Sequence, residues 1–483
     1  MKKTKIICTI GPKNANPEAL KLYAENGMGV ARLNGSHNTL EWHSTTISMV
    51  QDVLPKTPIL LDVPGKKIRT LILKHEPSFH TNDLITLTTD QTYQGEKKAP
   101  ISHESLHQYL TVGDTIYADD GQLAFKVESL KDKDITLQAL CSGTLKSRKG
   151  INIPNANLGS EYITHKDKEM LKFACECNVD FVGISFVESE AHINSIRHYL
   201  DENTPAHFSP PKIVAKVENL KGLENLNQIV QSADIIMIDR GDLAVETDLT
   251  HVVLYQKSII ATAHQYGVPV IIATEMLHTM INQPTPTKAE ISDITNAILD
   301  HASAIMLSGE TAIGNYGLEA VQLMNNLTQV VPSFSQVDPC STEASKREKY
   351  YTHVINSAKQ LCDSLPITKI VTISRSGFAA RMMSTKQPRQ EILCVTDDKR
   401  VSKTSNIFYG TTGVFTEISF SQNTTSHVEK ILNELIAKGL LNQDDFILVL
   451  FVSYPKKGNL TNSLQLHFVR DLIEIFNQQK ASI

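Results

Sequence analysis

The chain has 483 residues, of which 41% are hydrophobic and 20% are charged. This composition is ordinary for a globular protein of about two to four domains and excludes a disordered or collagen-like chain. Lys and Arg number 47 against 52 Asp and Glu, a net charge of -5. Because a non-specific nucleic-acid binder carries a basic surplus, we expect no nucleic-acid partner. No apolar run approaches the roughly 18 residues of a membrane span, so we expect no membrane partner either.

Short apolar, β-branched runs recur along the chain with helical stretches between them, a pattern typical of strands buried on both faces. The runs lie at residues 5–10, 29–34, 58–63, 180–186, 212–217, 234–239, 268–274 and 303–309. Eight such units are the number in a closed parallel barrel. The pattern therefore predicts an α/β fold, a (β/α)8 TIM barrel formed by residues 1–69 and 161–335.

Two further domains are predicted around this barrel. After the third strand the pattern changes to short alternating strands at 83–89, 114–121, 123–129 and 134–140, with turns such as Asp120-Gly121 between them. This predicts an inserted all-β lid domain at 70–160. An amphipathic helix at 318–330 and a linker with Pro332 and Pro339 follow the eighth strand. Strands at 369–377, 391–398 and 446–453 then alternate with helices, which predicts a C-terminal open-sheet α/β domain at 345–483.

The cysteines indicate the compartment. There are 7, scattered along the chain and without the spacing of a zinc site. We expect free thiols and a cytoplasmic protein.

Polar residues gather at the carboxyl ends of the predicted barrel strands, where barrel enzymes place their active sites. They are Arg32, Asn34, Ser36, Asp62, Ser185, Lys216, Glu218, Asp242, Thr274 and Ser308. Turn and cap residues also make strand ends polar, but the convergence across so many strands favours a site.

Lys216 and Glu218 are two residues apart on an extended segment and share a face. A simple ion pair is one interpretation. The other is that Glu218 and Asp242 form a hard-oxygen site for Mg²⁺. Gly241 and Asp242 begin a helix, whose free N–H groups suit a carboxylate; a helix cap without a ligand is the alternative.

Several segments in chain order identify a family resemblance. TKIICTIGP at 4–12, VARLN at 30–34, AKVEN at 215–219, DRGDLAVE at 239–246, IIATEML at 271–277, PTPTKAE at 284–290 and LSGETAIGNY at 307–316 resemble pyruvate kinase. The likeness runs from Thr4 to about Val469. It implies transfer of a phosphoryl group from phosphoenolpyruvate to ADP in glycolysis, and a homotetramer.

The resemblance also implies residue roles. Lys216 and Arg32 would neutralise the transferring phosphoryl group, and Glu218 and Asp242 would bind Mg²⁺ or Mn²⁺. The amides of Gly241 and Asp242 would receive the substrate carboxylate, and Thr274 and Ser308 would lie where the enolate is protonated, with Thr274 positioning a water. The nucleotide would contact Asn34, His37, Arg69 and Lys149. Asp120 is a lid candidate, although a plain turn is the better interpretation.

One departure from the family pattern concerns a monovalent cation. Many members hold K⁺ with residues matching Asn34, Ser36, Asp62 and Val63, and have a glutamate where this chain has Lys67. A lysine ammonium in that pocket supplies the positive charge covalently, and a second cation close by would be repelled. We therefore predict that K⁺ is not required. The alternative is that Lys67 points to solvent.

Two other departures add negative charge near the substrate. Asp239 stands where the family usually has Ala, and Glu275 where it usually has Gln. Both could weaken phosphoenolpyruvate binding unless a cation such as Lys66 offsets them, or both could be harmless.

The C-terminal domain carries a candidate effector site. Ser374, Arg375, Ser376 and Gly377 follow a strand and precede a helix, which suits a phosphate. Lys456 and Lys457 could add positive charge. A helix cap and a solvated loop are the alternatives.

Two other functions stay open from the sequence. One is a barrel aldolase or lyase that acts on a metal-bound enolate, which would not explain the lid or the C-terminal domain. The other is a non-enzymatic paralogue that senses the effector, its active site spoiled by Asp239 and Glu275.

Overall fold

The computed structural model describes residues 3–119, 121–154, 162–331, 350–420, 424–453 and 461–481. The predicted linker prolines, Asp120, Lys456 and Lys457 lie outside these ranges.

The chain begins with three barrel strands and then leaves the barrel for the lid. The first segment contains β1 (Lys5–Thr9), α1 (Pro17–Asn26), β2 (Met28–Asn34), α2 (Leu40–Val53) and β3 (Ile59–Val63). The lid contains β4 (Ile68–Arg69), β5 (Ser78–Phe79), β6 (Leu84–Thr88), β7 (Ala99–Pro100), β8 (Thr115–Ala118), β9 (Leu123–Lys131), β10 (Asp134–Ala139), β11 (Gly143–Thr144) and β12 (Gly150–Asn152).

The chain then returns to the barrel. This segment contains α3 (His165–Glu176), β13 (Phe181–Ile184), α4 (Glu190–Asn203), β14 (Lys212–Val217), α5 (Leu220–Glu224), α6 (Leu226–Ser232), β15 (Ile235–Asp239), α7 (Arg240–Glu246), α8 (Val252–Gln265), β16 (Val270–Ala273), α9 (Lys288–Leu299), β17 (Ala304–Leu307), α10 (Gly309–Ala312) and α11 (Gly317–Val330).

The C-terminal segment alternates helices and strands. It contains α12 (Tyr350–Ser364), β18 (Lys369–Ile373), α13 (Phe378–Ser384), β19 (Glu391–Thr396), α14 (Lys399–Thr404), β20 (Thr411–Phe415), α15 (Ser426–Ala437), β21 (Phe446–Phe451), β22 (Ser463–Phe468) and α16 (Val469–Ala481).

Eight parallel strands close the barrel in the order β1-β17-β16-β15-β14-β13-β3-β2, so the predicted fold class is confirmed. Alternate strand residues point inward and fill the barrel, among them Ile7, Val30 and Phe181. Ile407 and Phe408 of the C-terminal segment join this same buried cluster. The barrel interior is therefore a packed core rather than a pore, and the C-terminal domain contributes to it.

Side chains at the N-termini of several helices satisfy backbone amides that have no partner within the helix. At α9, for example, the Thr287 hydroxyl accepts a hydrogen bond from the Glu290 amide, while the Glu290 carboxylate accepts one from the Thr287 amide. This capping box satisfies two amides that would otherwise lack partners.

The lid has its own sheet and its own apolar core, and its first and last strands pair with each other. Its main sheet has 7 strands in the order β4-β12-β8-β9-β10-β6-β7, around a core that includes Phe79 and Phe125. The first and last lid strands, β4 and β12, pair antiparallel, with Ile68 opposite Ile151. Both ends of the lid therefore leave the barrel side by side.

The C-terminal domain is an open sheet of 5 strands in the order β20-β19-β18-β21-β22, with β22 antiparallel to β21.

Within the described ranges, no helix is long and apolar enough to cross a membrane.

Candidate active site

A cavity of about 310 Å³ opens at the carboxyl ends of the barrel strands. It brings together most of the residues that the sequence selects: Arg32, Asn34, Ser36, Asp62, Val63, Lys67, Arg69, Ser185, Lys216, Gly241, Asp242, Thr274 and Ser308. Asp239 and Glu275 also line it. Asp239 is buried, whereas Glu275 is exposed, so only Asp239 places its charge in the interior.

Lys216 lies between two buried carboxylates. Its Nζ is 2.6 Å from Glu218 Oε1 and 3.0 Å from Asp239 Oδ2, and it donates to Ser185 Oγ at 3.2 Å. Burial alone lowers the pKa of Lys216, but Glu218 and Asp239 outweigh burial and hold the pKa well above its ordinary value. The ammonium is thus charged and fixed at the cavity wall.

Glu218 is fully buried, and each of its oxygens has a different neighbour. Oε2 accepts a hydrogen bond from the Phe186 amide at 2.6 Å. Oε1 faces the Lys216 ammonium, but no donor in the described chain meets it with regular hydrogen-bond geometry. Burial raises the pKa of Glu218 to about 8, Asp242 and Asp239 add to this, and Lys216 opposes it.

These acids fit a divalent cation. Glu218, Asp239 and Asp242 each offer an oxygen, and these oxygens lie within 4.8 Å of one another. Carboxylate oxygens are the ligands that Mg²⁺ and Mn²⁺ prefer. Two observations indicate that this cluster of acids favours a cation. Glu218 Oε1 lacks a regular hydrogen bond among the described residues, and lysine ammonium groups lie against the three carboxylates.

Lys67 is one of those positive groups, and it lines the same cavity as Asn34, Ser36 and Asp62. Its Nζ lies 2.5 and 2.7 Å from the two oxygens of Asp242. Asp62 is paired with Arg32 instead. Lys67 does not point to solvent, since 14% of its side chain is exposed. Burial lowers the pKa of Lys67, but Asp242 and Asp239 reverse the effect and raise it.

Arg32 is held by β3 and β1. Its Nε and Nη2 donate to Asp62 Oδ2 at 2.9 and 2.6 Å, and its Nη1 donates to Thr9 Oγ1 at 3.1 Å. The other oxygen of Asp62 is buried without a hydrogen-bond partner among the described residues. Asn34 Oδ1 accepts the Ser36 amide at 3.1 Å, and Val63 ends β3 next to Asp62.

Gly241 and Thr274 meet across two strand ends. The Gly241 amide donates to Thr274 Oγ1 at 3.0 Å, and the Thr274 hydroxyl donates to the Ala273 carbonyl at 2.7 Å. Thr274 has φ of 66°, a left-handed conformation that a β-branched residue rarely adopts. Strain of this kind is often retained at functional sites. Ser308 is the N-cap residue of α10, and its amide donates to Glu310 Oε2 at 2.7 Å.

The predicted nucleotide residues are less tightly grouped. His37 is exposed and does not line the cavity, and its pKa is lowered by partial burial and by Arg69 and Arg32. Arg69 donates to the Arg148 carbonyl at 3.3 Å. Lys149 lies 2.5 Å from Asp119 on the lid and also falls outside the cavity lining.

Two residues near the site were missed by sequence reasoning. Asn152, on the last lid strand, is 1% exposed and donates to Glu246 Oε1 at 2.9 Å and towards Asp242 Oδ1 at 3.5 Å. Burial raises the pKa of Glu246 to about 7. Their positions depend on how the lid meets α7, which no local sequence pattern encodes.

The candidate effector loop lies in the C-terminal domain. Ser374 and Arg375 follow β18, and Gly377, with φ of 71°, precedes α13. Arg375 donates to the Phe420 carbonyl at 2.8 Å and lies 3.4 Å from Asp397. Ser376 belongs to the same loop, and Lys456 and Lys457 lie outside the described residues.

Comparisons with known proteins agree with this geometry. Residues 1–321 match the family model described as pyruvate kinase, barrel domain, and residues 352–467 match that described as pyruvate kinase, alpha/beta domain. The chain belongs to the pyruvate kinase family. It is accordingly a phosphotransferase.

Individual members of the family support this. A pyruvate kinase of Bacillus licheniformis is 35% identical over 98% of this chain and 81% of its own length. One from Thermococcus litoralis is 34% identical over 92% of this chain and 94% of its own. The crystal structure of a pyruvate kinase from Cryptosporidium parvum superposes with a TM-score of 0.85 at 30% identity, covering 97% of this chain and 96% of that one.

Proposed function

We propose that this enzyme transfers the phosphoryl group of phosphoenolpyruvate to ADP, giving pyruvate and ATP as a step of glycolysis. One observation carries the proposal. The charged ammonium of Lys216 lies at the mouth of the barrel between Glu218 and Asp239, in the same cavity as Arg32 and Asp242. Phosphoryl transfer depends mainly on such positioning and charge neutralisation.

Within this proposal Lys216 neutralises the phosphoryl group in transit, and Arg32, oriented by Asp62, holds the same group. Glu218 and Asp242 would hold Mg²⁺ or Mn²⁺, which when bound supplies positive charge for the anionic oxygens of the substrate. The Gly241 and Asp242 amides receive the substrate carboxylate. For Gly241 this requires the hydrogen bond to Thr274 to be released.

Thr274 and Ser308 line the same cavity, where β16 and β17 end. A threonine hydroxyl is too weak an acid to protonate an enolate directly, so we assign Thr274 to positioning a water. Asn34, His37, Arg69 and Lys149 are proposed for the nucleotide, with the lid excluding water over it.

The proposed reaction is tested by a lactate dehydrogenase-coupled assay with phosphoenolpyruvate, ADP and Mg²⁺. The unsubstituted enzyme should turn over, and Lys216→Met should abolish turnover. The control is Lys457→Met, which removes a lysine of the C-terminal domain and should retain turnover. Full activity of Lys216→Met, or no activity in the unsubstituted enzyme, would contradict the proposal.

We also propose that K⁺ is not required, because Lys67 supplies a covalent positive charge to the cavity that Asn34, Ser36, Asp62 and Val63 line. A second monovalent cation about 4 Å from this ammonium would meet repulsion of about 1 kcal/mol even at a water-like dielectric.

Assembly and location are proposed on separate grounds. A homotetramer is supported by apolar side chains on the barrel surface, since Leu249, Val253 and Leu254 are 74%, 54% and 60% exposed. A cytoplasmic location is supported by the cysteines of the described residues, which are free thiols. The loop containing Ser374, Arg375, Ser376 and Gly377 is proposed to bind a phosphorylated effector, with Lys456 and Lys457 as further candidates.

A further inference from the structure

The two acids proposed to hold the dication are both engaged by lysines. Lys216 lies against Glu218, and Lys67 lies against Asp242. A dication must therefore compete with an ammonium for each carboxylate. For Glu218 the competition concerns one atom, because Oε2 is held by the Phe186 amide and Oε1 faces Lys216.

Displacing a buried ammonium from its counter-ion is costly. Lys216 is only 5% exposed, and a buried charge left without a partner is strongly destabilising. If Glu218 were its sole partner, Lys216 would hold Oε1 against any incoming cation.

The structure provides a second partner. Asp239, the last residue of β15, places Oδ2 3.0 Å from Lys216 Nζ and is 7% exposed. The ammonium can stay paired with Asp239 while Glu218 turns its charge to another cation. Asp239 also contributes to the field at Lys67, so the buried cluster contains two lysines and three acids.

From this geometry we infer that Asp239 is a positioning residue: it retains the Lys216 ammonium and thereby releases Glu218 for the divalent cation. The inference rests on the proposed metal role of Glu218 and Asp242. It gives Asp239 a role in the site, where the sequence left open either a charge that weakens substrate binding or a harmless one.

The test is direct Mn²⁺ binding to the substrate-free enzyme, measured from the electron paramagnetic resonance signal of free Mn²⁺. Asp239→Asn should weaken Mn²⁺ binding by about tenfold, since Glu218 is then the one ion-pair partner left to Lys216 among the described residues. Asp239→Ala is measured alongside, so that the result does not depend on one replacement.

A double-substitution cycle separates this role from direct ligation. In a Lys216→Met background no ammonium competes for Glu218, so Asp239→Asn should change Mn²⁺ affinity by less than about threefold. A direct ligand, or a charge acting only through space, would weaken binding equally in both backgrounds. That outcome overturns the inference, as does unchanged affinity in Asp239→Asn.

Two further variants complete the design. Asp300→Asn removes a carboxylate that pairs with Lys257 at the end of α9, and it should bind Mn²⁺ as the unsubstituted enzyme does. Glu218→Gln should bind Mn²⁺ much more weakly. If Glu218→Gln binds normally, or the unsubstituted enzyme binds no Mn²⁺, the proposed metal site fails and the inference fails with it. If only the Asp239 results disagree, the proposed function stands.

Discussion

Lys67 and Asp242 form a bidentate ion pair at the boundary between barrel and lid. The Lys67 ammonium lies 2.5 and 2.7 Å from the two carboxylate oxygens. Lys67 directly precedes β4, the first lid strand, and Asp242 lies in the first turn of α7. The segment that joins the barrel to the lid is therefore linked by an ion pair to a proposed metal ligand. Lys67 contributes its positive charge to the cavity from the lid side.

The first prediction concerns K⁺. Because Lys67 supplies a cation within the cavity, activity should be equal in K⁺-containing and K⁺-free buffers of matched ionic strength. Lys67→Glu removes this charge and adds an acid, so its activity should fall by at least about tenfold without K⁺ and recover when K⁺ is added. The coupled assay with tetramethylammonium as the replacement salt measures both.

The neighbouring lysine provides the control. Lys66 lines a different cavity, on the side of Leu220 and Glu224, and lies 5.8 Å above the Tyr162 ring. Lys66→Glu makes the same change in net charge one residue away and should not create a K⁺ requirement. An absolute K⁺ requirement in the unsubstituted enzyme would refute the proposal.

The second prediction concerns the packing that fixes Arg32. Gly183 lies opposite Asp62 across β13 and β3, and a Cβ added to Gly183 would lie 1.9 Å from Asp62 Oδ1. Gly183→Ala must therefore push Asp62 away from Arg32. We expect a loss of stability of about 3 kcal/mol and a higher KM for phosphoenolpyruvate.

Gly29→Ala is the matched control for that change. Gly29 also lies in a barrel strand, β2, but its added Cβ would find its nearest neighbour at 3.7 Å, an ordinary contact. Thermal unfolding and KM should stay close to those of the unsubstituted enzyme. Similar behaviour of the two variants would show that Asp62 can move without consequence.

The third prediction concerns pH. Burial raises the pKa of Glu246 to about 7 from its ordinary value of 4.5. The folded state therefore binds more protons than the unfolded state between these values, and this residue costs stability progressively as pH rises from about 4.5 to 7. Glu246→Gln cannot ionise, and its Oε1 can still accept from Asn152.

The melting temperature of Glu246→Gln relative to the unsubstituted enzyme should therefore be unchanged near pH 4.5 and higher by several degrees at pH 8. This higher melting temperature corresponds to an increase in the free energy of unfolding on the order of 2 kcal/mol. Glu224→Gln is the control, because Glu224 and Glu246 line the same cavity, the one that Lys66 also lines. A constant difference at all pH values would contradict a titrating Glu246.

Much of the fold could be predicted from the sequence because buried strands and helix caps have characteristic local sequence patterns. The barrel strands are apolar throughout, and the capping box at Thr287 and Glu290 is a short-range pattern. Two strands of the C-terminal sheet were missed for the opposite reason. β20 contains a glycine, and β22 alternates polar residues along an exposed edge, so neither resembles a strand buried on both faces.

The site residues were predictable as a set, but their pairing was not. Strand ends converge in any parallel barrel, so Arg32, Lys216 and Asp242 could be grouped before the structure was known. Which lysine contacts which acid depends on side-chain reach across strands. The sequence therefore indicates the cavity that Lys67 enters, but not its ion pair with Asp242 or the contact of Asp239 with Lys216.

The last prediction concerns how the C-terminal domain is attached. Arg400, in α14, contacts the barrel domain and donates to Asn178 Oδ1 at 2.7 Å and to the carbonyls of Ser209 and Val179, each at 2.5 Å. Arg400→Met keeps the aliphatic stem but removes all three bonds, which leaves the partly buried acceptors of Asn178 and Val179 unpaired at a cost of about 1–3 kcal/mol. Calorimetry should show the unfolding of the two domains separating into two transitions, and limited proteolysis between residues 332 and 349 should accelerate. Arg470→Met removes an exposed arginine whose contacts, the adjacent Asp471 and the Phe468 ring, lie within the C-terminal domain, and it should change neither. A single unchanged transition in Arg400→Met would show that the remaining contacts, among them Ile407 and Phe408 with the barrel core and Lys403 with Asp180, suffice to hold the domains together.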